Sequence, residues 1–199
     1  MSAPFSRLVV GSGNPGKLRE LSALLSPLGI EPVAQSALGV PEAEEPFPTF
    51  IENALAKARN AAQHTGLPAL ADDSGILADA LAGAPGVQSA RFAGEPKSDQ
   101  RNNQKLIELL RSASTRAAHY YCVIVVVRHA RDPQPLIAEG QWCGEIVLEP
   151  RGSGGFGYDP YFFLPALAMT AAELPMAQKN KISHRGKALA ALISRLRAR

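Results

Sequence analysis

The chain has few of the residues that mark specialised classes of protein. Of its 199 residues only two are cysteines, and aromatic residues make up 6%. Cys122 and Cys143 lie inside apolar, strand-like runs, so we expect two buried, reduced thiols and no disulfide framework. No apolar run approaches the roughly 20 residues that a membrane-spanning helix needs. The N-terminus has no basic-then-apolar signal layout, which predicts a cytoplasmic protein without a membrane partner.

The excess of positive over negative charge is small as well. The formal net charge is +3 with 20% charged residues, which is too little to require a nucleic-acid partner. Hydrophobic residues at 46% are ordinary for a soluble globular protein. A chain of this length forms one sizeable core, and no linker or repeat divides it. We therefore expect a single domain over residues 1–199.

A glycine-rich loop is the most informative segment that is present. The sequence Gly-Ser-Gly-Asn-Pro-Gly-Lys at 11–17 follows the apolar run Leu8–Val10 and precedes leucines at helical spacing. Such a loop can turn backbone N–H groups toward an anion at a helix N-terminus, and Lys17 adds a point charge. The sequence therefore predicts a phosphate-binding loop.

Two known patterns fit this loop, and each lacks one element. The glycine spacing matches dinucleotide-binding oxidoreductases, which also need an acid at the end of the second strand. The only acid of the next strand candidate, Ile30–Ala34, is Glu31 at its start. The loop also matches the Walker pattern, but Leu18 stands where that pattern has a magnesium-binding Ser or Thr. A dinucleotide-binding oxidoreductase stays open as an alternative.

The rest of the chain alternates helical and strand patterns. Thr49 and Glu52 form a predicted capping box, and Ser98 is a predicted helix cap. The predicted elements are a helix from Thr49 to about Gln63, a strand at 67–71, a helix at 98–111, two long strands at 120–128 and 136–148 joined as an antiparallel hairpin, and a last helix at 183–197. Crossover and hairpin connections together predict an α/β protein with a mixed sheet.

Two adjacent acids stand where the strand at 67–71 is predicted to end. Asp72 and Asp73 precede a Ser-Gly pair, which is typical of a metal or general-base site but also of a solvated Asx turn. Neighbouring residues of a strand point to opposite faces of the sheet. We therefore expect at most one of the two carboxylates to face the reaction.

A second charged segment, Lys179–Lys187, carries four cations and a histidine with no acid. By itself it is typical of a solvated helix start or a nucleic-acid-binding surface. Hard cations bind oxygen ligands, and triphosphates bring Mg²⁺ with them. The phosphate loop, the acids and this segment together favour magnesium–nucleotide chemistry. Neither the oxidoreductase nor a nucleic-acid-binding module explains the acid pair together with the loop.

Six motifs occur in order along the chain. They are Ser-Gly-Asn-x-x-Lys-x-x-Glu at 12–20, Phe-Ile-Glu-Asn-Ala at 50–54 with Lys57, Ala-Asp-Asp-Ser-Gly at 71–75, Pro-Gly-Val-Gln-Ser-Ala-Arg-Phe at 85–92, the loop 154–160, and Ser-His-Arg-Gly-Lys at 183–187. In these motifs the chain resembles the non-canonical purine nucleoside triphosphate pyrophosphatases, which remove dITP, ITP and XTP. The visible departure is Ser12, where that family usually has Thr.

The resemblance implies a fold, an assembly and a reaction. The fold is α/β, with two lobes on one long, twisted mixed β-sheet flanked by helices and the active site in the cleft between the lobes. The usual assembly is a homodimer. The reaction is Mg²⁺-dependent hydrolysis of a purine nucleoside triphosphate to the monophosphate and pyrophosphate.

The resemblance also implies a role for each matching residue. Asp73 is the proton acceptor, and Glu44 and Asp73 are the metal-associated acids. The implied substrate contacts are Ser12, Gly13, Asn14, Pro15, Gly16, Lys17, Ser74, Phe156, Gly157, Tyr158, Asp159, Lys179, His184 and Arg185. Asn53 and Lys57, four residues apart on one helical face, are further candidates.

The base requires two kinds of contact. The ring of Phe156 can stack on a purine, which contributes ~1–3 kcal/mol without choosing the base. Donors such as His184 and Arg185 are expected to recognise the 6-keto oxygen of hypoxanthine and xanthine, where adenine has an amino group. The sequence does not show how guanine, which also has a 6-keto group, is rejected.

Overall fold

One mixed sheet organises the fold. The computed structural model describes residues 5–197, except for the side chain of Leu24. Its strands are β1 (Arg7–Val10), β2 (Glu31–Ala34), β3 (Ala69–Ala78), β4 (Ala117–Val127), β5 (Leu136–Ile146), β6 (Phe162–Leu164) and β7 (Met169–Thr170), in the spatial order β2-β1-β3-β4-β5-β6-β7. β1 pairs in parallel with β2 and β3, whereas β6 pairs antiparallel with β5 and β7. The mixed sheet predicted from the sequence is confirmed.

Helices connect and cover these strands. They are α1 (Pro15–Leu25), α2 (Phe50–Thr65), α3 (Asp99–Leu110), α4 (Met176–Ile182) and α5 (His184–Arg197). The predicted caps of α2 and α3 are present, because the hydroxyls of Thr49 and Ser98 accept hydrogen bonds from N–H groups in the first turn of each helix. The structure also has α4, a helix that the sequence pattern did not predict.

Two sequence-based expectations about the strands are wrong. The strand predicted at 67–71 does not end at the acid pair, because β3 continues through Asp72, Asp73 and Gly75 to Ala78. The place of β3 within the sheet, next to β4, and the cations described below outweigh the local preference of Asp-Ser-Gly for a turn. Cys122 is buried as expected, but Cys143 is exposed, because alternate residues of a strand point to opposite faces. Both cysteines are free thiols.

The chain divides into two compact units. The first unit comprises the described parts of Met1–Asp73, Cys122–Gly140 and Arg185–Arg199, and the second comprises Ser74–Tyr121 and Gln141–His184. Each unit has its own apolar core. The first core is centred on Val10, Leu21, Leu70, Ile124 and Leu189, and the second on Ile76, Leu106, Tyr120, Trp142 and Phe162.

Within residues 5–197, no helix combines the length and the apolar character that a membrane crossing requires.

Candidate active site

The phosphate loop joins β1 to α1 in the first unit. Asn14 caps α1, and its Oδ1 accepts hydrogen bonds from the N–H groups of Gly16 at 2.8 Å and Lys17 at 3.2 Å. Ser12 Oγ in turn accepts a bond from Asn14 N at 3.2 Å. Two of the backbone N–H groups of this loop are therefore used to fix the loop itself. The first turn of α1 contains no acidic residue, so the positive end of the helix dipole is not neutralised from within the helix.

The Lys17 side chain reaches from this loop to the middle of β3. Its Nζ lies 3.2 Å from Asp72 Oδ2. The same carboxylate oxygen accepts bonds from Arg185 Nε at 3.3 Å and Nη2 at 3.1 Å. The remaining side of the guanidinium, Nη1, binds the Glu20 carboxylate. The four side chains form a charge-balanced cluster that ties α1 and α5 to β3.

Asp72 is ionised in this cluster. It is 1% exposed, and burial alone would favour the neutral acid. The ammonium of Lys17 and the guanidinium of Arg185 nevertheless hold the pKa of Asp72 well below its ordinary value. Arg185 is also 1% exposed, and both arms of its guanidinium bind carboxylates. The structure thus gives Arg185 partners other than the keto oxygen expected from the sequence.

Asp73 has different partners, as strand alternation predicts for adjacent residues. Its Oδ1 lies 3.1 Å from Lys57 Nζ, and its Oδ2 lies 3.4 Å from Asn53 Nδ2. Both partners come from α2, where a spacing of four residues puts them on one face. The structure thus brings Asn53 and Lys57, the further candidates from the sequence, directly to the acid that the resemblance makes the proton acceptor.

Glu45 joins this group, whereas the sequence assigned the metal-associated role to Glu44. Glu45 Oε2 lies 3.0 Å from Lys57 Nζ, so one ammonium bridges two carboxylates. Glu44 is exposed. A sequence reading could not choose between two adjacent glutamates in a loop, because only the folded backbone decides which of them points toward β3.

The surroundings of Asp73 adjust its proton affinity. Burial raises the pKa of Asp73 above its ordinary value, and the neighbouring Glu45 carboxylate raises it further, while Lys57 and Lys17 oppose the shift. A carboxylate whose pKa is raised toward the working pH is a stronger base than an ordinary aspartate. Asp73 is therefore suited to accept a proton.

A divalent cation would find a suitable pair of donors here. Within the described residues no group of three or more His, Cys, Asp or Glu side chains is arranged to hold a metal ion. Asp73 and Glu45 nevertheless provide two hard oxygen donors around one position that already attracts a cation, Lys57 Nζ. Mg²⁺ in proteins is commonly held by one or two carboxylates together with substrate phosphates and water. The donor set fits that use.

The second unit holds the loop to which the sequence assigned base binding. Asp159 organises it, because its Oδ2 accepts bonds from Phe156 N at 2.8 Å and from Lys179 Nζ at 2.7 Å. The Lys179 ammonium also lies 5.0 Å from the centroid of the Phe156 ring. Gly155 is required beside them: its φ is +74°, and a Cβ there would lie 2.1 Å from Asp159 Oδ2.

The loop is also fastened by residues that the sequence analysis did not identify. Gly157 N donates to Asp99 Oδ2 at 2.9 Å, and Asn103 Nδ2 donates to Gly157 O at 2.9 Å. The Tyr158 hydroxyl donates to the Ser89 carbonyl at 2.7 Å. Burial raises the pKa of Tyr158, so the phenol stays protonated as a donor. None of these contacts could be read from the sequence, because each partner is more than 50 residues away.

His184 and Ser74 complete the predicted set in the second unit. His184 is 5% exposed and stacks on Tyr120, with ring centroids 4.6 Å apart and an interplanar angle of 7°. Ser74 follows Asp73 in β3 and is half-buried. The basic segment is therefore not a continuous solvated surface, since Lys179, His184 and Arg185 are all buried. This burial removes the main support for a nucleic-acid-binding module.

Fold and site together define an α/β protein in which a glycine-rich phosphate loop and a buried acid pair meet at one strand. Residues 8–195 match the Ham1 family, and the chain belongs to that family. A dITP/XTP pyrophosphatase of Nitrosomonas europaea is 65% identical over 96% of this chain and 95% of its own length. A dITP/XTP pyrophosphatase of Ralstonia nicotianae is 63% identical over 96% of each. The family resemblance stated from the sequence motifs is confirmed.

Solved structures support the same conclusion. A HAM1 protein from Coxiella burnetii is similar with a TM-score of 0.89 and 49% identity, over 97% of this chain and 99% of that chain. The Ham1 protein of Staphylococcus aureus is similar with a TM-score of 0.85 and 37% identity, over 96% and 98% of the two chains. The α/β fold with a mixed sheet is thus that of the Ham1 family.

The Asp72 cluster generates a prediction about acid stability. Because the folded-state pKa of Asp72 is lowered, its ionisation stabilises the fold above the unfolded pKa of about 3.9, and this contribution is lost as the pH falls below that value. Asp72→Asn should therefore lower the free energy of unfolding strongly at neutral pH, and the difference from wild type should shrink below about pH 4. Urea denaturation at several pH values measures this.

Asp79→Asn serves as the control, because Asp79 is an exposed acid directly after the same strand. Its stability profile should follow that of the wild type at every pH. A difference between Asp72→Asn and wild type that stayed constant into acid would contradict the assigned ionisation of Asp72.

Proposed function

We propose that this chain hydrolyses the non-canonical purine nucleoside triphosphates dITP, ITP and XTP to the monophosphate and pyrophosphate in the presence of Mg²⁺. The observation that carries the proposal is the pair of adjacent carboxylates in β3. Asp72 binds Lys17 of the phosphate loop, whereas Asp73 contacts Lys57 and Asn53. Near full-length identity to proteins named dITP/XTP pyrophosphatases supports the substrate class.

The first unit is proposed to bind and cleave the triphosphate. The loop residues Ser12 to Lys17 bind the phosphates, with the Lys17 and Lys57 ammonium groups neutralising their charge. Asp73 accepts a proton from a water molecule, whose oxygen forms a bond to the α-phosphorus. The bond from that phosphorus to the bridging oxygen breaks, and pyrophosphate leaves with the electron pair. We also propose that residues 1–199 act as a single domain in this reaction.

Carboxylates of the acidic loop and β3 are proposed to hold the magnesium. The family resemblance implies Glu44 and Asp73, while the contacts favour Glu45 beside Asp73. When bound, Mg²⁺ would withdraw charge from the phosphate oxygens and so make pyrophosphate a better leaving group.

The second unit is proposed to bind the nucleoside through Ser74, Phe156, Gly157, Tyr158, Asp159, Lys179 and His184. Phe156 is the stacking surface, and Asp159 and Lys179 hold it in place. Arg185 binds Asp72 and Glu20, so its proposed contribution is to hold Asp72, and through it Lys17, in position. The resemblance further implies a homodimer in the cytoplasm, and analytical ultracentrifugation tests the assembly.

A pyrophosphate-release assay tests the proposed reaction. Purified protein with Mg²⁺ should convert ITP and XTP to their monophosphates and pyrophosphate. ATP should be far slower, because adenine has an amino group where hypoxanthine and xanthine have the 6-keto oxygen. GTP should also be far slower, although guanine shares that oxygen. Addition of EDTA should stop turnover. Release of orthophosphate in place of pyrophosphate, or equal rates on ATP and ITP, would overturn the proposal.

The adjacent acids should differ in kinetic effect. Asp73→Asn should lower kcat for ITP by about 10²–10⁴-fold with a small change in KM, because the shape of the side chain survives while the proton acceptor is lost. Asp72→Asn should act mainly on KM, because it releases Lys17. Steady-state kinetics on folded, purified variants measure both effects. Equal losses of kcat from the two variants would contradict the division of roles.

Glu44 and Glu45 form a matched pair for the metal site. Glu45→Gln should raise the Mg²⁺ concentration needed for half-maximal activity by at least roughly tenfold. The reason is that Glu45 and Asp73 both contact the position that Lys57 Nζ occupies. Glu44→Gln should behave like the wild type, because Glu44 is exposed. Magnesium titrations of pyrophosphate release compare them. The reverse order would return the metal-associated role to Glu44.

A further inference from the structure

One residue of the base-binding loop, Gly157, is held at both its N–H and its carbonyl by a single helix. Asp99 Oδ2 accepts the hydrogen bond of Gly157 N, and Asn103 Nδ2 donates to Gly157 O, each at 2.9 Å. Asp99 and Asn103 are four residues apart in α3, so their side chains project from the same face of the helix. Neither residue belongs to the site implied by the family resemblance.

Gly157 directly follows Phe156, so its placement sets the course of the backbone that carries the Phe156 ring. The loop 150–158 lies outside helices and strands, and Gly157 has a φ of +63°. The N–H of Phe156 is fixed by Asp159, and the Tyr158 hydroxyl is fixed by the Ser89 carbonyl. The bonds from Asp99 and Asn103 fix Gly157 itself, which lies between Phe156 and Tyr158. The loop is therefore held before a ligand arrives.

The hydrogen-bonding capacity of the buried Asn103 side chain is only partly satisfied. Asn103 is 7% exposed, and its Oδ1 has no hydrogen-bond partner within residues 5–197. A buried acceptor without a partner destabilises a fold, and an apolar side chain of similar shape would remove that penalty. Gly157 is only half-buried, so its carbonyl could bind water without Asn103. Among the described residues, the side chain of Asn103 makes one hydrogen bond, the bond to Gly157 O.

We propose that Asp99 and Asn103 are positioning residues that fix the backbone of Gly157 on both sides and thereby hold the Phe156 ring in the orientation that stacks on the purine base. This inference rests on the proposed function. A loop ordered in advance avoids an entropic cost on binding. Only ligands that carry a base gain affinity from the ordered loop. Binding of inorganic tripolyphosphate, which has the phosphates alone, therefore does not depend on the two residues.

Asn103→Leu tests the proposal, with Gln104→Ala, an exposed neighbour on the same helix, as control. The expected result is a KM for ITP raised roughly threefold to tenfold, as for the loss of one hydrogen bond. The inhibition constant of tripolyphosphate and kcat should stay unchanged, and the melting temperature should be equal or higher. Gln104→Ala should match the wild type in all four measurements.

Asp99 provides an independent pair of variants. Asp99→Ala removes the acceptor of Gly157 N and should raise the KM for ITP in the same way, whereas Asp99→Asn keeps a side-chain oxygen that can accept this bond and should restore most of the affinity. Both variants lose the charge at the start of α3, so a difference between them reports on the bond to Gly157 and not on the helix dipole.

Three outcomes would overturn the positioning role. They are an unchanged KM for ITP in Asn103→Leu, a parallel rise in the KM for ITP and the inhibition constant of tripolyphosphate, and a lower melting temperature that accounts for the lost activity. Failure of the wild type to release pyrophosphate from ITP would instead contradict the proposed function. In that case, calorimetric titration of wild type and variants with ITP still measures the effect on binding.

Discussion

Two carboxylates buried side by side in β3 require the first unit to supply a cation to each of them, because an uncompensated buried charge is strongly destabilising. Asp72 takes Lys17 and Arg185, and Asp73 takes Lys57. These cations come from three separate helices. The requirement to neutralise the acid pair therefore fixes the phosphate loop, α2 and the start of α5 against one strand. The lysines that we propose to bind phosphate therefore also compensate the buried acids of the fold.

The second unit also contains a buried carboxylate that needs a compensating cation. Asp159 is 2% exposed and is compensated by Lys179, which is also buried. The ion pair does more than balance charge, because Asp159 also fixes the Phe156 N–H and Lys179 lies against the Phe156 ring. A buried ion pair contributes little net stability compared with apolar packing. Its use here is to define the conformation of a loop that has no sheet or helix to define it.

Sequence reasoning succeeded where the determining interactions are local. The hydroxyls of Thr49 and Ser98 cap α2 and α3 by accepting hydrogen bonds from N–H groups three residues ahead. The apolar run before the phosphate loop forms β1. It failed where distant groups intervene. Asp-Ser-Gly predicted a turn, yet β3 continues through it, because ladder bonds and ion pairs from other segments outweigh a local preference. The expectation that Cys143 is buried was wrong for a local reason, because Cys143 lies on the exposed face of β5 with Glu139, Gln141 and Glu145, an alternation already present in the sequence.

The sequence by itself determined the family, and it predicted the phosphate loop and the residue types of the candidate site, because each motif is a short stretch whose chemistry is carried by its own side chains. Tertiary structure alone decided which acid receives which cation, since Lys57 lies 16 residues from Asp73 and Arg185 lies 113 residues from Asp72. It also decided that Glu45 points toward β3 and that α3 holds Gly157. Hydrogen bonds and ion pairs act over a few ångströms, so their partners are set only when the folded chain brings those atoms together.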